Sequence, residues 1–177
     1  MSTKHYLLTR EETITINDSK VFRTPNAADG FAINRLIERC PPLDTNSLYC
    51  NLLQCTHFAE TSVLVEQQSE IVGLISGYLI PARTDTLFVW QVAVSDQCRG
   101  QGLASQMLEN LLERPACARV AHLETTVTAS NNASKALFQR LATGLNTELT
   151  SSILFDKNQH FRGKHESECL LHIGPFN

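Results

Sequence analysis

Along this chain the spacing of hydrophobic positions switches repeatedly between two residues and about three and a half, which predicts strands and helices in turn within one α/β unit. Short alternating runs at 13–16 and 21–23 predict a first strand or hairpin. From 27 to 40, Ile33, Leu36, Ile37 and Cys40 recur at helical spacing, and Pro41 and Pro42 stop that helix because proline disfavours a helical residue before it. A second helix is predicted after Asp44, a candidate N-cap, with Leu48, Tyr49, Leu52 and Leu53 on one side. Residues 61–66 and 70–80 are rich in strand formers and flank the polar Gln67, Gln68 and Ser69, so they read as an antiparallel hairpin whose second strand ends at Pro81. The nearly apolar run at 87–94 predicts a central strand buried on both faces. A glycine-containing loop at 95–102 then precedes a helix with Leu103, Met107, Leu108, Leu111 and Leu112 on one stripe. A strand at 120–127, a polar loop at 128–131, a short helix carrying Ala133, Ala136, Leu137 and Leu141, and strands at 152–155 and 169–173 complete the pattern.

At 177 residues and 42% hydrophobic composition, the chain has material for one sizeable core, and a disordered chain is excluded. The expected organisation is a single domain over 21–177 after an extension at 1–20. A net charge of −3 argues against a dedicated nucleic-acid partner, which would need a basic face. No run approaches the roughly 18 apolar residues of a membrane span, and the first residues lack a signal-peptide core, so a cytoplasmic protein without a membrane partner is expected. The six cysteines form no C-x-x-C pair and read as reduced packing thiols. His160, His165 and His172 have no spacing that would gather three ligands, so no metal is expected.

The chemistry-bearing segment is the strand ending at Val94 followed by Gln97, Cys98, Arg99, Gly100, Gln101, Gly102, Leu103 and Ala104 at a helix start. Two glycines two residues apart let backbone N–H groups approach a ligand, the following helix dipole favours an anion, and Arg99 adds a charge. An ordinary strand-to-helix turn is the plainer alternative. The segment has neither the G-K-[ST] of a P-loop nor the third glycine of a dinucleotide fingerprint, since Ser105 stands there.

Gln97, Gly100 and Gly102 after a buried strand fill the pattern Q-x-x-G-x-G/A, which resembles the acyl-CoA pyrophosphate motif of the GNAT acetyltransferase superfamily. The resemblance implies a mixed, mostly antiparallel twisted sheet flanked by helices on both faces, with acetyl-CoA as co-substrate. It also implies that Val92 and Val94 pair with the pantetheine arm through their backbone, that the N–H groups of 97–104 take the pyrophosphate, and that Asn131, Ala133 and Ser134 line the opposite wall. Many members carry a tyrosine where this chain has Phe138, so that proton donor is absent and Phe138 reads as packing near the pantetheine.

Further segments are similar to the L-2,4-diaminobutyrate acetyltransferase family, whose reaction begins ectoine synthesis: Phe22-Arg23, the runs 40–49 and 52–59, Val89-Trp90-Gln91-Val92-Ala93-Val94, 131–138 and His165-Glu166-Ser167-Glu168. This resemblance implies an amine pocket of Asp44, Tyr49, Trp90, His165 and Glu168, with Glu168 as the base and Asp44 positioning the other ammonium, or the reverse. Taken singly, Asp44 is as well read as a helix cap, Tyr49 and Trp90 as core, and His165 and Glu168 as a solvated loop. Direct attack of a neutral 4-amino group on the thioester is the implied route; Cys98 as an acyl-accepting nucleophile is the lesser one. The resemblance also implies a homodimer and a role in osmoprotection. A GNAT enzyme with another amine acceptor and a noncatalytic acyl-CoA-binding module are the rivals.

Overall fold

The computed structural model describes residues 19–176; the strand predicted at 13–16 lies outside them. Strand β1 (Val21–Arg23) is followed by α1 (Gly30–Glu38), α2 (Leu48–His57), β2 (Val63–Gln67), β3 (Glu70–Ile80), β4 (Arg83–Val94), α3 (Leu103–Leu112), β5 (His122–Thr128), α4 (Asn132–Gly144), β6 (Leu149–Phe155) and β7 (Glu168–Ile173). The strands form one sheet in the order β1-β2-β3-β4-β5-β7-β6. Every neighbouring pair is antiparallel except β4 and β5, which run parallel.

Alternation on the strands divides the core into two layers. Val63 and Val65 face the layer built with Leu103, Met107 and Leu111 of α3 and Leu137 and Phe138 of α4. Leu64, between them, faces Ile33, Leu36 and Ile37 of α1 on the other side. Each of those three α1 side chains is at most 1% exposed, and burying one contributes about 1.5–3 kcal/mol. Helices therefore cover both faces of the sheet, as the family resemblance implies.

Several boundaries differ from the sequence reading for local reasons. The predicted 27–40 helix opens instead as a single helical turn, Ala27–Asp29, closed by a capping box in which the Asn26 side chain accepts from Ala28 N and Asp29 accepts from Asn26 N. Arg23 grips both oxygens of Asp29 at 2.8 Å, so β1 and this turn are locked together. Asp44 does not cap α2; Ser47 does, its hydroxyl accepting from Cys50 N at 3.1 Å. The β2–β3 hairpin turns at Gln68 and Ser69, both at positive φ (51° and 64°), the pair of left-handed residues a tight two-residue hairpin demands. Strand β4 begins at Arg83 rather than 87, directly after the Pro81-Ala82 turn, with Arg83 opposite Ile80.

The register of β3 against β4 slips once in the middle: Ser76 faces Gln91 while Gly77 faces Val89, so Trp90 is an extra residue on β4. A Cβ on Gly77 would come within 2.8 Å of the Phe88 carbonyl, so glycine is required where the strands crowd at this bulge. The same bulge overturns the expectation that 87–94 is buried on both faces, because Trp90 is pushed outward and is 43% exposed.

Candidate active site

Strands β4 and β5 pair from Thr86–His122 to Val89–Thr125 and no further. At the last step the Thr125 hydroxyl donates to the Val89 carbonyl at 2.9 Å. Beyond it β4 continues to Val94 against β3, while β5 continues to Thr128 against β7. The two parallel strands thus diverge at the Trp90 bulge and leave the β5 side of residues 90–94 without a strand partner, an opening for an extended ligand to add its own polar groups.

A cavity of about 670 Å³ occupies the mouth of this wedge. Val92 and Val94 form its floor, Cys98, Arg99, Gly100 and Gly102 one rim, Leu103 and Ala104 the start of α3, and Asn131, Ala133 and Ser134 the opposite wall. Gly100 and Gly102 stand at φ +73° and +76°, a conformation L-residues adopt at a cost. Gly102 is the N-cap of α3 and brings no side chain to its first turn, so those N–H groups are left for an anion. The Asn131 side chain caps α4 by accepting from Ser134 N at 3.1 Å.

Arg99 pairs with Asp96 at 2.8 Å, and its Nε donates to the Val94 carbonyl at 3.3 Å. Both partners of that ion pair are at least half exposed (50% and 75%), so it is weak and the guanidinium is free to exchange Asp96 for another anion. The Cys40 thiol donates to the same Val94 carbonyl at 3.4 Å. Gln97 and Gln101 lie behind the rim: the Gln101 amide donates to the Gln97 carbonyl at 2.8 Å and braces the loop, and neither residue lines the cavity. Phe138 does not line it either; it is 1% exposed in the core, and Leu137 takes the wall position instead. Cys98 borders the cavity but is buried, with its thiol turned to the Gln67 side-chain oxygen at 3.5 Å.

A second cavity of about 460 Å³ adjoins the first, with Pro42, Leu43 and Asn131 lining both. It gathers Asp44, Trp90, His165 and Glu168. Glu168 is the first residue of β7, its side chain 19% exposed, with His165 Nδ1 at 3.9 Å from its carboxylate. His165 Nδ1 also lies 2.8 Å from the Glu166 carbonyl, which can only accept, so Nδ1 carries the hydrogen and Nε2 is the ring nitrogen left free. The Trp90 ring stands edge-on to Tyr78, which also contacts Phe58 and Phe88, so a row of aromatic rings supports it. Tyr49 is not brought to either cavity; it stands 69% exposed near the start of α2.

Gln91, Asn46, Lys164 and Glu166, none of them assigned to the site from the sequence, also line this second cavity. A lone amide inside an otherwise apolar strand was the available signal for Gln91; nothing in local spacing marks the other three. Among the described residues no group of three His, Cys, Asp or Glu side chains could hold a metal ion, and no helix is long and apolar enough to cross a membrane.

A splayed parallel strand pair, an uncapped glycine rim before α3 and an adjoining acidic cavity define a GNAT-type acyltransferase, and residues 31–142 match the model of the Acetyltransferase (GNAT) family. Within that class the chain is 53% identical over 152 residues to L-2,4-diaminobutyric acid acetyltransferase of Methylotuvimicrobium alcaliphilum, covering 86% of this chain and 88% of that one. It is 51% identical over 153 residues to the protein of that name from Vibrio parahaemolyticus, covering 86% and 84%. The solved diaminobutyrate acetyltransferase EctA of Paenibacillus lautus, in complex with L-2,4-diaminobutyric acid and coenzyme A, superimposes with a TM-score of 0.87 at 40% identity, over 91% of this chain and 98% of that one. The chain belongs to the L-2,4-diaminobutyric acid acetyltransferase family of GNAT enzymes.

Proposed function

We propose that this enzyme transfers the acetyl group of acetyl-CoA to the 4-amino group of L-2,4-diaminobutyrate, giving 4-acetamido-2-aminobutanoate. The observation that carries the reading is the meeting of two unlike cavities at Pro42, Leu43 and Asn131: one rimmed by uncapped helix N–H groups, the other lined by Asp44, Glu166 and Glu168. The glycine rim fits the pyrophosphate of acetyl-CoA, the unpaired edge of Val92 and Val94 fits the amides of its pantetheine arm, and the group brings an activated thioester to the junction. A diamine suits the acidic cavity because each ammonium donates a charge-assisted hydrogen bond to a carboxylate.

An amine attacks only when neutral, so a base must take its proton. Glu168 has that role: its carboxylate is mostly withdrawn from solvent, whereas Asp44 lies on an exposed loop and holds the second ammonium. Trp90 provides an aromatic wall beside the cation, and His165 Nε2 accepts a hydrogen bond at the same mouth. Backbone N–H groups near Val92, on the unpaired edge, are oriented toward the charge that grows on the thioester oxygen. The burial of the Cys98 thiol against Gln67 supports direct transfer over an acyl-cysteine route. With Phe138 in the core, no tyrosine stands on α4 to protonate the leaving thiolate, which departs to water or unassisted.

The reaction belongs to ectoine synthesis in the cytoplasm and so to osmoprotection. A net charge of only −3 suits a host that excludes salt and accumulates organic solutes. Homodimerisation is supported by β6, an edge strand whose Ile153, Leu154 and Phe155 are all exposed and which carries no charged residue to guard its open edge. The test of the reading is acetyl-CoA-dependent thiol release with diaminobutyrate beside lysine, ornithine and spermidine. Preference for another amine would keep the acyl-CoA site and discard this acceptor. Asp44→Asn and Glu168→Gln should separate the carboxylates: the first raises KM for the diamine, the second lowers kcat.

A further inference from the structure

We propose that the side-chain amide of Gln91 is a positioning group for the acceptor: it clamps the loop bearing Asp44 to the bulge of β4 and so sets where Asp44 stands over the acidic cavity. The inference rests on the reading of that cavity as the amine pocket.

Adjacent residues of a regular strand point to opposite faces. Trp90 and Gln91 nonetheless line the same cavity, because the extra residue at the bulge turns both toward it. The Gln91 residue is 7% exposed, and both ends of its amide are engaged. Nε2 donates to the Asp44 carbonyl at 2.6 Å, and Oε1 accepts from Asn46 Nδ2 at 3.1 Å. The orientation is forced, since a carbonyl only accepts and the nitrogen end must face it.

Asn46 stands at φ +49°, a left-handed conformation that asparagine tolerates better than most residues. That reversal folds the loop back so the Asp44 carbonyl and the Asn46 amide meet the same glutamine, just before Ser47 caps α2. Asp44 and Thr45 are otherwise exposed, and the Asp44 carboxylate has no hydrogen-bond partner among the described residues, which leaves it for a ligand. The bulge that opens the acyl-CoA wedge thus also aims the acceptor carboxylate, tying the two half-sites through two consecutive residues of β4.

Steady-state kinetics of Gln91→Leu, Gln91→Glu and Asn46→Gly, with a cycle against Asp44→Asn, test the assignment. Loss of the clamp leaves the Asp44 carbonyl unpaired, and Gln91→Leu should raise KM for diaminobutyrate roughly 10- to 100-fold. KM for acetyl-CoA should stay within about twofold of wild type, since that cavity does not include Gln91. In the Asp44→Asn background the same change should cost no more than about threefold, because residues acting through one another are not additive. Asn46→Gly keeps the left-handed backbone and removes one bond; it should shift the diamine KM by about fivefold, and it keeps the question open to measurement if Gln91→Leu fails to fold. Equal losses with and without Asp44, a parallel rise in the acetyl-CoA KM, or no effect of either Gln91→Glu or Asn46→Gly would overturn the proposal. A wild-type enzyme inactive on every diamine would instead overturn the parent reading, and this inference with it.

Discussion

Replacing Gly100 by alanine separates a conformational requirement from a steric one. Nothing lies within 4 Å of the place a Cβ would occupy at Gly100, so the protein itself offers no clash. The cost is the backbone, held at φ +73°, where an L-residue loses about 1–2 kcal/mol. Residues 99–102 are exposed, so the substituted loop can escape the strain by leaving the left-handed region in the free enzyme. Acetyl-CoA must then restore the cradle, and its KM should rise roughly 5- to 30-fold while the diamine KM stays unchanged. Any strain that the free enzyme retains appears instead as a lower melting temperature, about 2–4 °C per kcal/mol for a chain of this size. Gly144 is the matched control: it too has nothing within 4 Å, but it ends α4 without a positive φ. Gly144→Ala should therefore leave both KM values alone and stabilise by up to about 1 kcal/mol. The assay is initial-rate kinetics on the three proteins, with melting curves alongside. An unchanged acetyl-CoA KM and melting temperature in Gly100→Ala would refute the assignment of this loop as the pyrophosphate cradle, and equal effects at Gly100 and Gly144 would refute the conformational argument.

Three further outcomes follow from other parts of the molecule. Glu124 is 4% exposed and receives both Arg83 nitrogens at 2.6 and 2.8 Å with His172 Nδ1 at 3.0 Å; these hydrogen bonds, Arg83 foremost, hold its carboxyl below the ordinary range. A depressed folded-state pKa means the contribution is present above the usual carboxylate value of about 4.3 and is lost as pH falls below it, so Glu124→Gln should flatten the acid limb of a stability-against-pH curve; an unaltered limb would contradict the assignment. Cys98→Ala should retain turnover within a few-fold, and complete loss with a normal melting curve would revive the acyl-cysteine route. If the chain dimerises through the uncharged edge strand β6, as proposed, the wild type should sediment as a dimer and Leu154→Lys as a monomer; a monomeric wild type or a dimer unshifted by the substitution would contradict that proposal.

Much of this was legible in the sequence because the informative signals are local. The glycine spacing at 100 and 102, the apolar stripe of α3 and the polar break before β3 each state their own structure within about ten residues. Asp44, Trp90, His165 and Glu168 line one cavity although they arise from three separate places in the chain, a grouping that only the family resemblance, and no local spacing, could suggest. Tyr49, which the resemblance assigns to the amine pocket and helical spacing alone assigns to the core, stands 69% exposed and lines neither cavity, because spacing says which residues share a side of α2 and not what that side meets. The Trp90 bulge was hidden because register is a relation between two strands; Gly77 on β3 and Trp90 on β4 acquire their meaning only when paired. For the same reason Gln91 looked like an interruption of a buried strand, when its partners are the carbonyl of Asp44 and the amide of Asn46 more than forty residues earlier.

The central claim, that an acyl-CoA wedge and an acidic diamine cavity meet to acetylate one particular nitrogen, is tested most directly by product analysis. Purified enzyme with acetyl-CoA and L-2,4-diaminobutyrate should release thiol, and mass spectrometry should locate the acetyl group on the 4-amino nitrogen alone, with lysine, ornithine and spermidine turned over far more slowly. Acetylation at the 2-amino group, a different preferred amine, or tight acetyl-CoA binding without turnover of any amine would contradict it.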